Sequence, residues 1–280
     1  MTCRRALLLA LVAALSPLPA GAGGLPLWEL GVGAGGVVLP HYRGAQSVTA
    51  YALPFPFVQY HGERLQVDEE GVHGLLFRSP RLEADVSLAG GVPVPEDADT
   101  ARRGMPSLDP TVEIGPSLDI RLGPLKPRGH ALWLRLPVRA ALAFDRKHVD
   151  HAGWVFSPYV EYLKFNGRHS GPWSFSLSLG PLFGDKSYHE YFYEVAATHA
   201  SAARPEYHPA AGYAGSRVTL AMQKRTRGYW IGVFARLDSL SGATFSDSPL
   251  MEQEFYFATG IAVAKIIASA KEPARRQRGH

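Results

Sequence analysis

Apolar and polar residues alternate with a period of two through much of this chain. Val112, Ile114, Pro116, Leu118, Ile120 and Leu122 fall on one side of a segment whose other side carries Thr111, Glu113, Gly115, Ser117, Asp119 and Arg121. Leu132, Leu134, Leu136, Val138, Ala140 and Leu142 repeat the pattern, with Arg135 and Arg139 opposite. Trp173, Phe175, Leu177 and Leu179 alternate with Ser174, Ser176, Ser178 and Gly180; Phe255, Phe257, Ile261 and Val263 alternate with Glu254, Tyr256, Ala258 and Gly260. Successive side chains of a strand point to opposite faces, so these segments read as strands with one apolar and one polar or small face. A soluble sandwich alternates in the same way. Length separates the two cases: these segments run about 10–12 residues, as tilted membrane strands do, whereas soluble strands average about 5–6. The apolar face also ends in aromatics, at Trp28, Trp154, Trp173 and Tyr229, as an interfacial girdle does.

Turn signals place 12 strands near 28–38, 47–60, 63–68, 72–79, 81–90, 111–122, 130–143, 153–165, 171–180, 212–223, 228–238 and 253–265. The expected fold class is all-β, a transmembrane antiparallel up-and-down β-barrel of about 12 strands; 10 is the alternative if 63–68 and 72–79 form one bulged strand. Connections 39–46, 91–110, 144–152, 181–211 and 239–252 are long, whereas 61–62, 80, 123–129, 166–170 and 224–227 are short. Only 69–71 breaks that alternation. A chain that starts in the periplasm puts the long connections outside. Folding back across 123–129 sets Asp119 opposite Arg135, which predicts a structural charge pair inside the lumen. The predicted lumen also carries Arg81, Glu83, Asp85, Glu113, Arg121, Arg139, Arg217 and Arg236.

The N-terminus refines the picture. Arg4 and Arg5 precede an apolar run from Ala6 to Leu15, then the small-residue site Ala20-Gly21-Ala22, which reads as a signal peptide over 1–22. Ten apolar residues are too few for a spanning helix, which takes about 20, and no other stretch comes closer. The single cysteine, Cys3, falls inside that peptide, so the exported part has none. A barrel with no free edge supplies stability without disulfides. The expected organisation is a signal peptide, a barrel over 23–267 and a disordered basic tail over 268–280. The formal charge of +4 is too small to suggest nucleic acid as a partner, and outer-membrane lipid is the expected surroundings.

Seven stretches carry a resemblance: Trp28-Glu-Leu-Gly-Val-Gly, Pro40-His-Tyr-Arg-Gly44, Pro54-Phe-Pro-Phe-Val-Gln-Tyr60, Gly184-Asp-Lys-Ser-Tyr-His-Glu-Tyr-Phe-Tyr193, Ala211-Gly-Tyr-Ala-Gly215, Leu237-Asp-Ser-Leu-Ser-Gly242 and Asp247-Ser-Pro-Leu250. In that order they resemble the MipA/OmpV family. The resemblance implies an outer-membrane barrel without catalytic residues. It further implies a scaffold joining a murein hydrolase, a lytic transglycosylase, to a murein-synthesising penicillin-binding protein. Barrels of this type commonly finish on an aromatic residue; here Ile266-Ile267 lead into the basic tail.

The search for reactive chemistry yields little. Asp145, His148, Asp150 and His151 share a loop, but a metal site needs preorganised ligands, and the expectation is a solvated loop with no metal and no cofactor. Gly31-Val-Gly-Ala-Gly-Gly36 lies in a strand with no helix after it, so its glycines line a crowded lumen rather than a phosphate. The connection 181–211 is long for a structureless loop and is expected to fold into the barrel mouth, with Asp185, Lys186, Tyr188, His189, Tyr191 and Tyr193 forming a constriction. Ser187 and His189, two apart on an extended segment, point the same way but lack a placed acid. The leading reading is therefore a non-enzymatic barrel scaffold. A small pore for polar solutes and a lipid-modifying barrel enzyme are the alternatives.

Overall fold

The alternation closes into a ring. The computed structural model describes residues 26–61, 65–68, 71–74, 76–94, 99–123, 129–145, 147–164, 173–226 and 228–271. The expected signal peptide, most of the basic tail and parts of several connections lie outside these residues. The strands are β1 (Pro26–Pro40), β2 (Val48–His61), β3 (Leu65–Asp68), β4 (Gly71–Gly74), β5 (Phe77–Arg78), β6 (Leu82–Gly91), β7 (Thr111–Arg121), β8 (His130–Phe144), β9 (Val149–Phe156), β10 (Tyr159–Lys164), β11 (Ser174–Gly184), β12 (Gly212–Arg225), β13 (Tyr229–Ser239) and β14 (Phe255–Lys271). Among the described residues one α-helix, α1 (Lys186–Tyr193), sits between β11 and β12.

All 14 strands belong to one antiparallel sheet in the order β4-β3-β2-β1-β14-β13-β12-β11-β10-β8-β7-β6-β5. β9 and β10 are two halves of one stave, because β9 also pairs with β8 and β11 and only Ser157-Pro158 interrupts it. β4 and β5 follow each other along another stave, and Leu76 between them donates its N–H to Ala84 of β6. The order thus returns on itself as a barrel of 12 staves, and β1 pairs with β14.

The faces are inverted relative to a soluble protein. Leu30, Val32, Ile114, Leu118, Leu177, Leu179, Leu220, Ile261 and Val263 are exposed on the outside. Inside, Glu29, Gln59, Asp119, Arg135, Arg139, Glu161 and Asp238 are buried. Exposed aromatics mark both ends: Trp173 and Tyr229 toward the short-turn end, and Trp154 and Phe255 toward the long-loop end. This is the outer surface of a transmembrane barrel, with an apolar band and aromatic girdles. Among the described residues no helix is long and apolar enough to cross a membrane; the strands cross it.

Bulky side chains fill much of the interior of the β1, β2 and β12–β14 half. Phe57, Trp230, Ala262 and Ala264 form one cluster there, and Val37, Phe234, Tyr256 and Ala258 another. Gly33 shows why the glycine-rich strand is tolerated: the ring of its cross-strand partner Phe55 lies where a Cβ would be, 2.5 Å away. Arg81, expected in the lumen, is exposed at the position just ahead of β6, where its C=O accepts from the Arg121 N–H at 2.8 Å.

Candidate functional site

At the long-loop end the connections fold over the barrel mouth. Asp185 caps α1 through a 2.8 Å bond from the Tyr188 N–H, a geometry typical of a helix start. Gly153 on β9 has φ +123, and a Cβ there would meet the Tyr188 N at 2.3 Å, so the helix rests directly on the strand backbone. A buried cluster then joins Tyr42 from the β1–β2 loop, Val94, Met105 and Leu108 from the β6–β7 loop, Tyr193 and Val195, and Leu240, Phe245 and Leu250 from the β13–β14 loop. Tyr193 stacks on Phe245 with centroids 3.7 Å apart and meets Tyr42 edge-on. The backbone of this roof is tied by side chains. Tyr193 Oη donates to Arg43 O at 2.8 Å, Ser248 Oγ to Tyr193 O at 2.9 Å, Tyr42 Oη to Leu250 O at 2.8 Å and Arg102 Nη1 to Phe192 O at 2.9 Å.

The six residues expected to form a constriction divide between roles. Tyr193 and His189 are buried in the roof. Tyr188 Oη reaches down to donate to Glu113 Oε1 at 3.1 Å, and Tyr191 Oη donates to Asp109 O at 3.0 Å. Asp185 caps the helix, and Lys186 faces solvent beside Glu190, 3.2 Å away. Ser187 and His189 lie on a helix rather than on an extended segment. Residues two apart on a helix point to different sides, so Ser187 is exposed while His189 is buried.

His189 is held in one tautomer. Its Nδ1 sits 2.6 Å from the Ala210 carbonyl, which only accepts, so Nδ1 carries the proton. Among the described residues Nε2 has no hydrogen-bond partner; it is buried against Gly184, and Phe245 packs edge-on at 5.0 Å. Burial holds the imidazole pKa below its usual value; the Ala210 bond opposes this, Arg43 adds to it and Asp185 opposes it. Burial likewise pushes the Tyr42 hydroxyl upward, with Asp99 reinforcing it.

Asp99 anchors another part of the roof. It lies 3.3 Å from His41 Nδ1, whose Nε2 is 2.9 Å from Thr49 Oγ1, and it accepts from the Ala101 N–H at 3.1 Å. The line Thr49–His41–Asp99 has the order of a nucleophile, base and acid. The carboxylate is shared with a backbone donor and lies 3.4 Å from Tyr42 Oη, which makes it a strut between β2 and the β6–β7 loop.

Below the roof, charges are organised on two walls. On the β7, β8 and β10 side, Arg135 Nη1 donates to Asp119 Oδ2, and Arg135 Nε to Glu161 Oε2 at 2.7 Å. Ser117 Oγ donates to Asp119 at 2.6 Å. Asp119 and Arg135 stand opposite each other in the ladder. One step nearer the mouth, Arg139 contacts Glu113, Ser87 and Ser157 at 3.1, 3.1 and 2.7 Å. On the facing side, Asp238 accepts from Arg43 Nε at 2.7 Å and from Arg217 Nε and Nη2 at 2.9 and 2.8 Å. At the short-turn end Glu29 and Gln59 pair with Arg225.

Sequence reasoning did not find Glu29, Arg43, Glu161 or Asp238 as interior charges. Glu161 was within reach, since it alternates with the outward Val160 and Tyr162. Arg43 lies in a loop, where period-two counting stops. Asp150 and His151 stand on β9 opposite Ala143 and Leu142 rather than in a loop. Among the described residues no group of three or more His, Cys, Asp or Glu is placed to hold a metal.

Several family-like stretches meet in this one roof. Arg43 of the second touches Asp238 of the sixth, Tyr193 of the fourth touches Ser248 of the seventh, and Gly215 of the fifth has φ +100 with Arg43 and Ser239 packed against it. Among solved structures the chain is similar to one titled "CymD monoaromatic hydrocarbon channel", at 11% identity and TM-score 0.34, covering 85% of this chain and 88% of that one. It is also similar to a crystal structure of a Pseudomonas aeruginosa FadL homologue, at 5% identity and TM-score 0.29, covering 85% and 89%. Both likenesses are too loose to carry substrate or mechanism. No curated protein matches the chain. The family model described as MltA-interacting protein MipA matches residues 32–266, nearly the whole barrel, and the chain therefore belongs to the MipA family.

Proposed function

We propose that this barrel is a non-enzymatic scaffold in the outer membrane of a Gram-negative cell, joining a murein hydrolase to a murein synthase at its periplasmic rim. The observation that carries the reading is the roof. Loops from four connections pack into one apolar core across the long-loop end, and the interior beneath is filled by aromatic side chains and paired charges. Such a build suits a rigid anchor better than a conduit, because a packed interior resists passage of solutes. The family description supplies the partner class, an MltA-type lytic transglycosylase. A penicillin-binding protein is the proposed second partner. The exposed Ser187 and buried His189 do not converge on a reacting atom, which favours a role without catalysis.

The test is capture. Mature barrel in detergent, presented to purified lytic transglycosylase and penicillin-binding protein, retains the first directly and the second at least through it. Recovery of neither overturns the scaffold. Planar-bilayer recording of the same preparation gives no steady conductance; stable single-channel steps would move the assignment to a pore.

A further inference from the structure

Among the described residues, one cluster inside the barrel holds more guanidinium groups than carboxylates. Asp238 is fully buried and takes hydrogen bonds from Arg43 and Arg217, while Arg236 Nε stands 3.9 Å from its Oδ1. Three guanidinium groups thus surround one carboxylate. Glu113, which faces Arg217 from the other wall, is already engaged by Arg139 Nε at 3.1 Å and Tyr188 Oη at 3.1 Å. Arg236 Nη2 donates to a neutral phenol, Tyr256 Oη, at 2.8 Å. Among the described residues, two guanidinium nitrogens, Arg43 Nη2 and Arg236 Nε, are buried with no hydrogen-bond partner.

Buried donors are normally satisfied, and an uncompensated buried cation is costly. A surplus of this kind persists where something outside the chain neutralises it. The place is also reachable. Arg217 and Arg236 keep 26% and 22% of their side-chain surface exposed, whereas Asp238 keeps none, so the acid sits behind two partly exposed cations. Forked guanidinium donors match the paired oxygens of a carboxylate or phosphate. The site is fixed from above as well, since Tyr193 of the roof holds the Arg43 backbone.

We propose that the barrel binds a small oxyanion, a carboxylate or phosphate group, between Arg43, Arg217 and Arg236 directly beneath the roof. This site is independent of the scaffold reading, because it concerns the lumen and not the periplasmic rim.

Calorimetry on the folded, detergent-solubilised mature protein tests it, with inorganic phosphate and acetate titrated separately at constant ionic strength. Saturable binding of at least one is expected, and which one saturates identifies the preferred group. Replacing Arg236→Gln weakens it about tenfold or more, the worth of a hydrogen bond to a charged group. No saturation by either anion, or equal affinity in Arg236→Gln, overturns the site. Asp238→Asn gives a second readout that needs no intact Arg236 variant. With the internal acid neutralised, the preferred anion raises the thermal midpoint of that variant more than that of the parent protein. Equal shifts in the two proteins overturn the site as well.

Discussion

Arg43 Nε lies 2.7 Å from Asp238 Oδ2, tying a loop after β1 to the end of β13 across 195 residues of sequence. The bond makes the roof and the barrel wall one electrostatic unit. Removing the acid leaves three guanidinium groups facing one another in a poorly solvated interior. Asp238→Asn is expected to destabilise the barrel by about 3–5 kcal/mol, the usual range for breaking a buried pair. Urea unfolding in lipid vesicles measures it; a loss below about 1 kcal/mol, the worth of an exposed pair, shows that the cluster is solvated.

Arg135 serves two acids, Asp119 and Glu161. Arg135→Met strands both and is expected to cost about 3–5 kcal/mol. Combining it with Asp119→Asn recovers part of that loss, because one stranded charge disappears. A double-mutant cycle should return a coupling of about 1–3 kcal/mol. Strict additivity argues that the two side chains act separately.

His189 makes the roof sensitive to acid. Its folded pKa is depressed by burial while the unfolded chain titrates normally. Its contribution to stability is therefore fully present above the unfolded value, about 6.5, and is lost as pH falls through the folded value. A proton on Nε2 has no acceptor and meets Gly184 and Phe245. Amide exchange across 186–193 should accelerate on acidification, and His189→Phe should flatten that response. His208, bridged between Glu206 and Glu194, is shifted the other way, so its smaller effect is present below about 6.5 and fades as pH rises.

The seating of α1 depends on a residue with no side chain. Gly153→Ala pushes a Cβ into the Tyr188 N–H and Asp185 Oδ1, both at 2.3 Å, at a backbone angle that disfavours alanine. Asp185→Ala removes only the cap and costs about 1 kcal/mol. Limited proteolysis should cut the 185–211 connection faster in both, and more so in Gly153→Ala. Identical digestion of all three proteins contradicts the packing described.

The outer face predicts a depth-dependent penalty. Leu177 is 43% exposed on β11. Leu177→Arg should cost about 2–4 kcal/mol for folding into vesicles, as charges do on the lipid side near the midplane. No penalty places that face in water.

Much of the barrel was legible because its rule is local. Period-two alternation needs only the neighbouring residues, and a short connection fixes which residues of two strands face each other. Counting back from 123–129 is enough to bring Asp119 to Arg135. The same rule fails where the chain leaves the sheet. Arg43 and Asp238 meet only after the ring is complete, so no local pattern links them. The α1 helix was legible in part: an aspartate followed by Lys186 and Glu190 at a four-residue spacing is a capped helix start. The surrounding loop composition concealed it.

The pairing of β1 with β14 has a consequence for biogenesis. It joins the two ends of the chain, so every earlier stage of folding has two unpaired edges offering N–H and C=O groups to any passing strand. Closure is the contact of highest sequence separation and waits for the last strand to be made. A truncated or stalled chain is then an open ribbon with an apolar face, prone to aggregate.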